Sequence, residues 1–206
     1  MGLFITFEGG EGCGKSTQAG LLLKRLERSG VSAVLTREPG GTVLGDEIRR
    51  LLKKERASAV APEAELFLFA ASRAQLMSEL ICPALNRNTV VICDRFTHST
   101  LAYQGYGRVL DLDAVEMVNR LATAEIKPDL AILLDIRPEQ GLSRKRSSGD
   151  RFESESLSFH RRVRDGYLKM AAAEPDRWLV VDASLTRAQV AAIVWERVSK
   201  LPGLPA

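Results

Sequence analysis

The run Gly9-Gly10-Glu11-Gly12-Cys13-Gly14-Lys15-Ser16-Thr17 holds the residue types and spacing that speak most directly of chemistry. It fits the pattern GxxxxGK[ST]. Glycines let the backbone curl so that successive N–H groups point inward at phosphate oxygens. A helix beginning at Lys15 adds the positive end of its dipole. Lys15 is expected to bridge the β- and γ-phosphates of a nucleoside triphosphate, and Ser16 to ligate Mg2+. A glycine-rich turn can arise without a ligand. Here a strand precedes the Lys-Ser pair and a helix follows it, the context such a loop needs.

Three more groups of residues could serve an acceptor. Arg37, in Thr36-Arg37-Glu38-Pro39-Gly40-Gly41, ends a strand, where ligands of open α/β sheets sit, and is placed to meet a phosphate. Its bland reading is an exposed turn with an idle Arg–Glu pair. Phe69 and Arg73, four apart on a helix, share a face. Ring and guanidinium could sandwich a planar base and bond its edge. Equally, Phe69 could fill the core with Arg73 snorkelling at its rim. Asp94-Arg95-Phe96 follows the apolar run Val90-Val91-Ile92-Cys93 and continues into Ser99-Thr100-Leu101-Ala102-Tyr103-Gln104. Asp94 is a candidate partner for Mg2+ or its waters, and Arg95 could hold a phosphate bidentately. Asp135 has the same strand-end position, with helix capping before Pro138 as its alternative; the arginine after Asp94 favours Asp94.

These residues need elements to position them. Short, almost purely apolar runs at 3–7, 31–36, 89–93, 130–134 and 178–181 predict strands buried on both faces. Helical patterns alternate with them at 15–29, 44–52, 62–81 (ending before Pro83), 111–124, 138–146, 154–173 and 186–201. The expectation is an α/β P-loop NTPase fold, a five-stranded parallel sheet with helices on both faces, in one domain spanning 1–206.

Composition excludes several classes. With 29 Lys+Arg against 26 Asp+Glu, the net charge of +3 does not suit a polybasic nucleic-acid binder. Cys13, Cys82 and Cys93 form no CxxC pair, and with two histidines in the chain a structural zinc site is not expected. Free thiols suit a reducing cytoplasm. No run approaches the roughly 20 apolar residues of a membrane span. Residues 2–6 formally fit a myristoylation pattern but read better as the start of a buried strand. No guanine-reading Asn-Lys-x-Asp is present.

Taken in order, Phe7-Glu8-Gly9, 36–41, 69–73, 94–104 and Asp150-Arg151-Phe152-Glu153 closely resemble the thymidylate kinases of the nucleoside-monophosphate kinase group, over most of the chain. The resemblance implies transfer of the ATP γ-phosphoryl group to dTMP, giving dTDP and ADP, with Mg2+. It implies that Glu11 contacts the sugar 3′-hydroxyl, Phe69 stacks on thymine and Arg73 bonds its edge. Arg95 and Arg37 would hold the monophosphate, with Ser99, Thr100 and Gln104 facing the thymidylate. Tyr103 would crowd the place of a ribose 2′-hydroxyl. It also implies a homodimer formed by helices away from the site. Phe96 stands where the family most often has Tyr, and Cys13 where a small Ala is more frequent.

The basic stretch Arg144-Lys145-Arg146-Ser147-Ser148-Gly149-Asp150-Arg151 reads by itself as solvated surface. In this family it corresponds to a lid over ATP, about 144–153. The loop offers Glu11 and no arginine, so the resemblance points to a catalytic arginine from the lid: Arg144, Arg146 or Arg151, with Arg151 favoured for its place in Asp-Arg-Phe-Glu. An anionic acceptor needs no strong general base, so His98 is read as a pocket-rim residue and His160 as a helix-surface one. Two other readings stay open: another P-loop nucleoside or nucleoside-monophosphate kinase, or a non-catalytic nucleotide-binding module. Two acceptor-side arginines argue for an acceptor that already carries phosphate.

Overall fold

A computed structural model describes residues 2–54, 59–144 and 151–204. Five strands, β1 (Phe4–Glu8), β2 (Ala33–Arg37), β3 (Val90–Asp94), β4 (Leu130–Asp135) and β5 (Trp178–Asp182), form one parallel sheet in the order β2-β3-β1-β4-β5. Every strand runs one residue beyond its apolar stretch, and that last residue is charged: Glu8, Arg37, Asp94, Asp135 and Asp182. The apolar run stops while the ladder continues; Arg37 still pairs with Asp94, and Asp135 with Asp182. The carboxyl edge of the sheet is thereby a row of charges.

The helices are α1 (Lys15–Arg28), α2 (Val43–Lys53), α3 (Pro62–Leu76), α4 (Cys82–Asn86), α5 (Thr97–Thr100), α6 (Leu112–Thr123), α7 (Pro138–Ser143), α8 (Leu157–Ala173) and α9 (Arg187–Val198). Strand alternation divides the core. Ile5, Phe7, Ile92 and Ile132 pack with Leu22 and Leu26 of α1 and Val190 and Val194 of α9. On the other face, Phe4 and Val91 meet Leu76, Ile81, Leu85 and Phe96, and Ala131 and Leu133 meet Phe159, Val163 and Tyr167 of α8. Among the described residues no helix is long and apolar enough to cross a membrane.

Two helical stretches differ from expectation. The helix from Pro62 does not end before Pro83 but widens into a π turn at Met77–Ile81 and continues as α4. Pro83 lacks an N–H, and its ring would crowd the carbonyl four residues back, at Glu79. The π turn spanning Glu79 relieves that conflict. The sequence reading places no element between Asp94 and Asp111, yet α5 runs into a second π stretch, Leu101–Gly107. Glycines give poor helix propensity there, but packing requires Gly107. A Cβ at that position would lie 2.7 Å from the Phe159 ring of α8.

Leu26 is fully buried between α1 and the sheet. Leu26→Ala is expected to lower unfolding free energy by about 2–5 kcal/mol, read from urea denaturation with an unchanged m-value.

Candidate active site

The phosphate loop joins β1 to α1. Gly9, Gly12 and Gly14 all have positive φ. At Gly12 the need is double: φ is +67°, and a Cβ would sit 1.9 Å from the Gly141 carbonyl oxygen of α7. α1 starts at Gly14 with no side-chain cap and no acidic residue in its first turn. Its N–H groups are thus left for an anion. Lys15 is buried, its Nζ donating to the carbonyls of Gly9 (3.1 Å) and Gly10 (2.7 Å), with the Cys13 sulfur at 3.4 Å. Cys13 itself donates its S–H to the Gly10 carbonyl.

β1 and β3 are neighbours, which brings Asp94 beside the loop. The Ser16 hydroxyl donates to the Asp94 carboxylate. Asp135, the competing strand-end acid, is held bidentately by Arg164 of α8, both bonds 2.7 Å. Among the described residues no three His, Cys, Asp or Glu side chains are grouped to hold a metal. Mg2+ does not require such a cage, since it commonly takes one or two protein oxygens with phosphates and water. Ser16 and Asp94 fit that donor set.

Arg95 turns the chain out of β3 with φ +74°, a conformation costing a non-glycine residue on the order of 1 kcal/mol or more. Its Nη2 donates to Glu11 Oε1 (2.7 Å) and to the Tyr103 hydroxyl (3.1 Å), and its Nη1 to the Gly9 carbonyl (2.9 Å). Tyr103 also donates to Glu11. Three residues expected at a nucleotide thus form one knot. Arg37 is 57% exposed, 3.7 Å from Asp46.

A cavity of about 370 Å³ joins these groups. Its walls include Gly14, Lys15, Ser16 and Thr17 on one side and Arg37, Phe69, Arg73, Arg95, Ser99, Thr100, Tyr103 and Gln104 on the other. The π stretch places Tyr103 and Gln104 on the same wall as Ser99 and Thr100. Phe69 is half-buried, its ring 5.9 Å from Phe152, which in turn lies 6.1 Å from Tyr103. Arg73 does not snorkel: it is 1% exposed and forms an ion pair with Glu38 at 2.6 Å. It also donates to Asn119 and Thr100. Burial raises the Glu38 carboxyl above its ordinary value despite Arg73, which pulls it down. Gln104 donates to Glu65, a fully buried carboxylate that also receives Arg108 and Arg151. Phe96 lies buried between the Phe4 ring and the Arg73 guanidinium.

Sequence reasoning missed Arg49 and Lys53, which line the cavity from α2; their four-residue spacing was the available signal, though the helix predicted over 44–52 stopped one residue short of Lys53. Of the three arginines expected in a lid, Arg144 lines the cavity and donates to the Ala183 carbonyl at 2.9 Å. Arg151 instead sits on Glu65 at 2.7 Å and on the Leu52 carbonyl, outside the cavity wall. Arg146 lies outside the described residues. Neither histidine is where sequence put it. His98 faces a second cavity of about 250 Å³ and stacks 4.5 Å from Trp178; burial lowers its pKa to about 3. His160 is buried at 4%.

A parallel sheet with an uncapped phosphate loop, facing a second set of cations and an aromatic slot across one cavity, defines a P-loop phosphotransferase. A family model described as thymidylate kinase matches residues 7–193. The chain is 54% identical, over the full length of both, to a protein named thymidylate kinase from Dehalococcoides mccartyi. To one from Trichlorobacter lovleyi it is 49% identical, covering 98% of this chain and 100% of the other. The crystal structure of thymidylate kinase from Ehrlichia chaffeensis superposes with a TM-score of 0.78 at 35% identity, covering 96% of this chain and 98% of that one. The chain belongs to the thymidylate kinase family.

Removing Arg73 would leave Glu38 buried and unpaired. Arg73→Ala is expected to cost about 3–5 kcal/mol of stability. The double variant with Glu38→Ala should recover part of that loss in a double-mutant cycle.

Proposed function

We propose that this chain transfers the γ-phosphoryl group of ATP to dTMP, giving dTDP and ADP, within the 370 Å³ cavity. One observation carries the reading: phosphate-loop residues and the acceptor-side cations line the same cavity. A donor and an acceptor phosphate bound there are held in reach of each other, which turns a bimolecular encounter into a positioned one. Gly9, Gly10, Glu11, Gly12, Cys13, Gly14 and Thr17 supply the loop that receives ATP. Lys15 exchanges the loop carbonyls for the β- and γ-phosphates. Ser16 and Asp94 would hold Mg2+, which when bound neutralises phosphate charge. Arg95 and Arg37 take the dTMP phosphate, with Arg49 and Lys53 adding positive charge at that end.

The base end follows from donor counting. Of the five N–H bonds of Arg73, Glu38, Thr100 and Asn119 take four. One Nη1 proton is left for a thymine carbonyl, while Phe69 offers a stacking face. Glu11 and Tyr103, bonded to each other, meet the sugar. As Arg144 lines the cavity, it is assigned the charge-neutralising role near the moving phosphoryl group. We treat 1–206 as one kinase domain with a lid at about 144–153, acting without nucleic acid or membrane in a reducing cytoplasm, which the free Cys13, Cys82 and Cys93 suit.

A homodimer completes the proposal. Leu51 of α2, Phe67 of α3 and Leu121 of α6 are 48%, 60% and 86% exposed. These three helices pack side by side, and none of the three residues lines the cavity. An apolar surface of this kind is suited to a second copy of the chain.

Coupled ADP release is expected with dTMP and not with thymidine; acceptor-independent release would instead favour a regulatory ATPase. In single-turnover assays Arg144→Ala should slow transfer by roughly 10³-fold, and Arg151→Ala far less. Sedimentation should show a dimer that Leu121→Asp converts to a monomer.

A further inference from the structure

We propose that Glu8, a carboxyl group the reaction does not consume, is a positioning residue that sets the place of Arg95 and so of the acceptor phosphate. In one respect this rests on the reading above, that Arg95 is the acceptor-phosphate cation. Glu8 is the charged last residue of β1 and is fully buried. Its Oε1 accepts the Phe96 N–H at 2.9 Å, pinning the backbone immediately after the left-handed turn at Arg95. Its Oε2 accepts the Ser99 hydroxyl at 2.6 Å and the Tyr167 hydroxyl at 3.2 Å. Those two hydroxyl oxygens lie 2.7 Å apart, and Arg95 Nη1 reaches each of them at 3.4 Å. One carboxyl therefore holds the backbone of the Arg95 turn and two of the three hydroxyls that touch its guanidinium, the third being Tyr103.

The arrangement requires an acceptor. An ionised carboxylate accepts the Phe96 N–H and the Ser99 hydrogen, and the Tyr167 hydrogen is shared between Glu8 at 3.2 Å and Ser99 at 2.7 Å, so a lone pair on each hydroxyl oxygen remains for Arg95. Protonation adds a hydrogen to that cluster and removes the negative charge behind the guanidinium, loosening its hold. Burial pushes Glu8 up to about 7, with Ser99, Arg95, Tyr167 and Phe96 pulling it back. The other titratable groups facing it do not change charge near that pH. His98, 4.0 Å away on α5, stays neutral with its pKa near 3. Cys93 of β3, Tyr167 of α8 and Arg95 are all raised further above their already high values.

The sign for stability runs opposite to that for activity. Between the ordinary carboxyl value of 4.5 and about 7 the folded chain keeps a proton that the unfolded chain has released. Stability from this group therefore falls as pH rises through that window and is lowest above it. Ionised Glu8 serves Arg95 at the cost of stability.

The test uses the full chain and its Glu8→Gln variant. Wild-type turnover of dTMP is measured first and judges the reaction itself. Under saturating substrates, kcat of the wild type should fall below pH about 7. In Glu8→Gln that acid limb should vanish, kcat at pH 8 should drop by up to about 10²-fold, and KM for ATP should not move. The variant's Tm at pH 8 should equal or exceed that of the wild type. A variant with wild-type kcat and an intact acid limb overturns the proposal. So does parallel loss of Tm and activity, which would mark Glu8 as a packing residue only. If the wild type leaves dTMP unphosphorylated, the claim is read from the Arg95 Nε resonance. A shift with a midpoint near 7 in the wild type and absent from Glu8→Gln supports it, and equal traces overturn it.

Discussion

Arg95 donates to the Gly9 carbonyl and to Glu11, both in the phosphate loop, and from the same guanidinium reaches Tyr103, Ser99 and Tyr167. The glycine loop and the helical wall across the cavity from it are in this way tied to one cation. Parallel pairing of β1 with β3 makes that possible, because Phe7 stands opposite Asp94 and the residue after each strand emerges at the same edge. The left-handed backbone at Arg95 is the strain this junction carries.

Behind the acceptor wall lie three carboxylates shielded from water: Glu8, Glu38 and Glu65. Each is joined to a site residue: Glu8 to the Arg95 turn, Glu38 to Arg73, and Glu65 to Gln104. Burying a carboxylate is unfavourable unless it is paired and hydrogen-bonded. Here the pairing fixes guanidinium and amide groups that a planar base and a phosphate would meet. A site preorganised in this way does not have to order its donors when the reaction occurs.

Much of this was legible before folding. The glycine loop, its lysine and serine, and the alternation of apolar runs with helical patterns all act locally, and each led to the right element. Asp94 was preferred to Asp135 because an arginine follows it; the fold gives Asp94 to Ser16 and Asp135 to Arg164. Other features were hidden for identifiable reasons. The charged ends of the strands were cut from them because hydropathy reads burial and not backbone pairing. The helix over 97–107 was missed because Gly105 and Gly107 lower its propensity, while contact with α8 holds it. His160 looked solvent-facing by type, and only its neighbours reveal that it is buried.

Sequence alone determined the matters that depend on near neighbours along the chain: where the glycine loop lies and where strands and most helices run. Long-range contact decided the rest. Glu8 and Ser99 are 91 residues apart, and Arg73 and Glu38 are 35 apart. Nothing in either neighbourhood announces that these groups share a hydrogen bond out of water. The parallel crossovers bring them together, and the low-dielectric interior then makes each pairing obligatory.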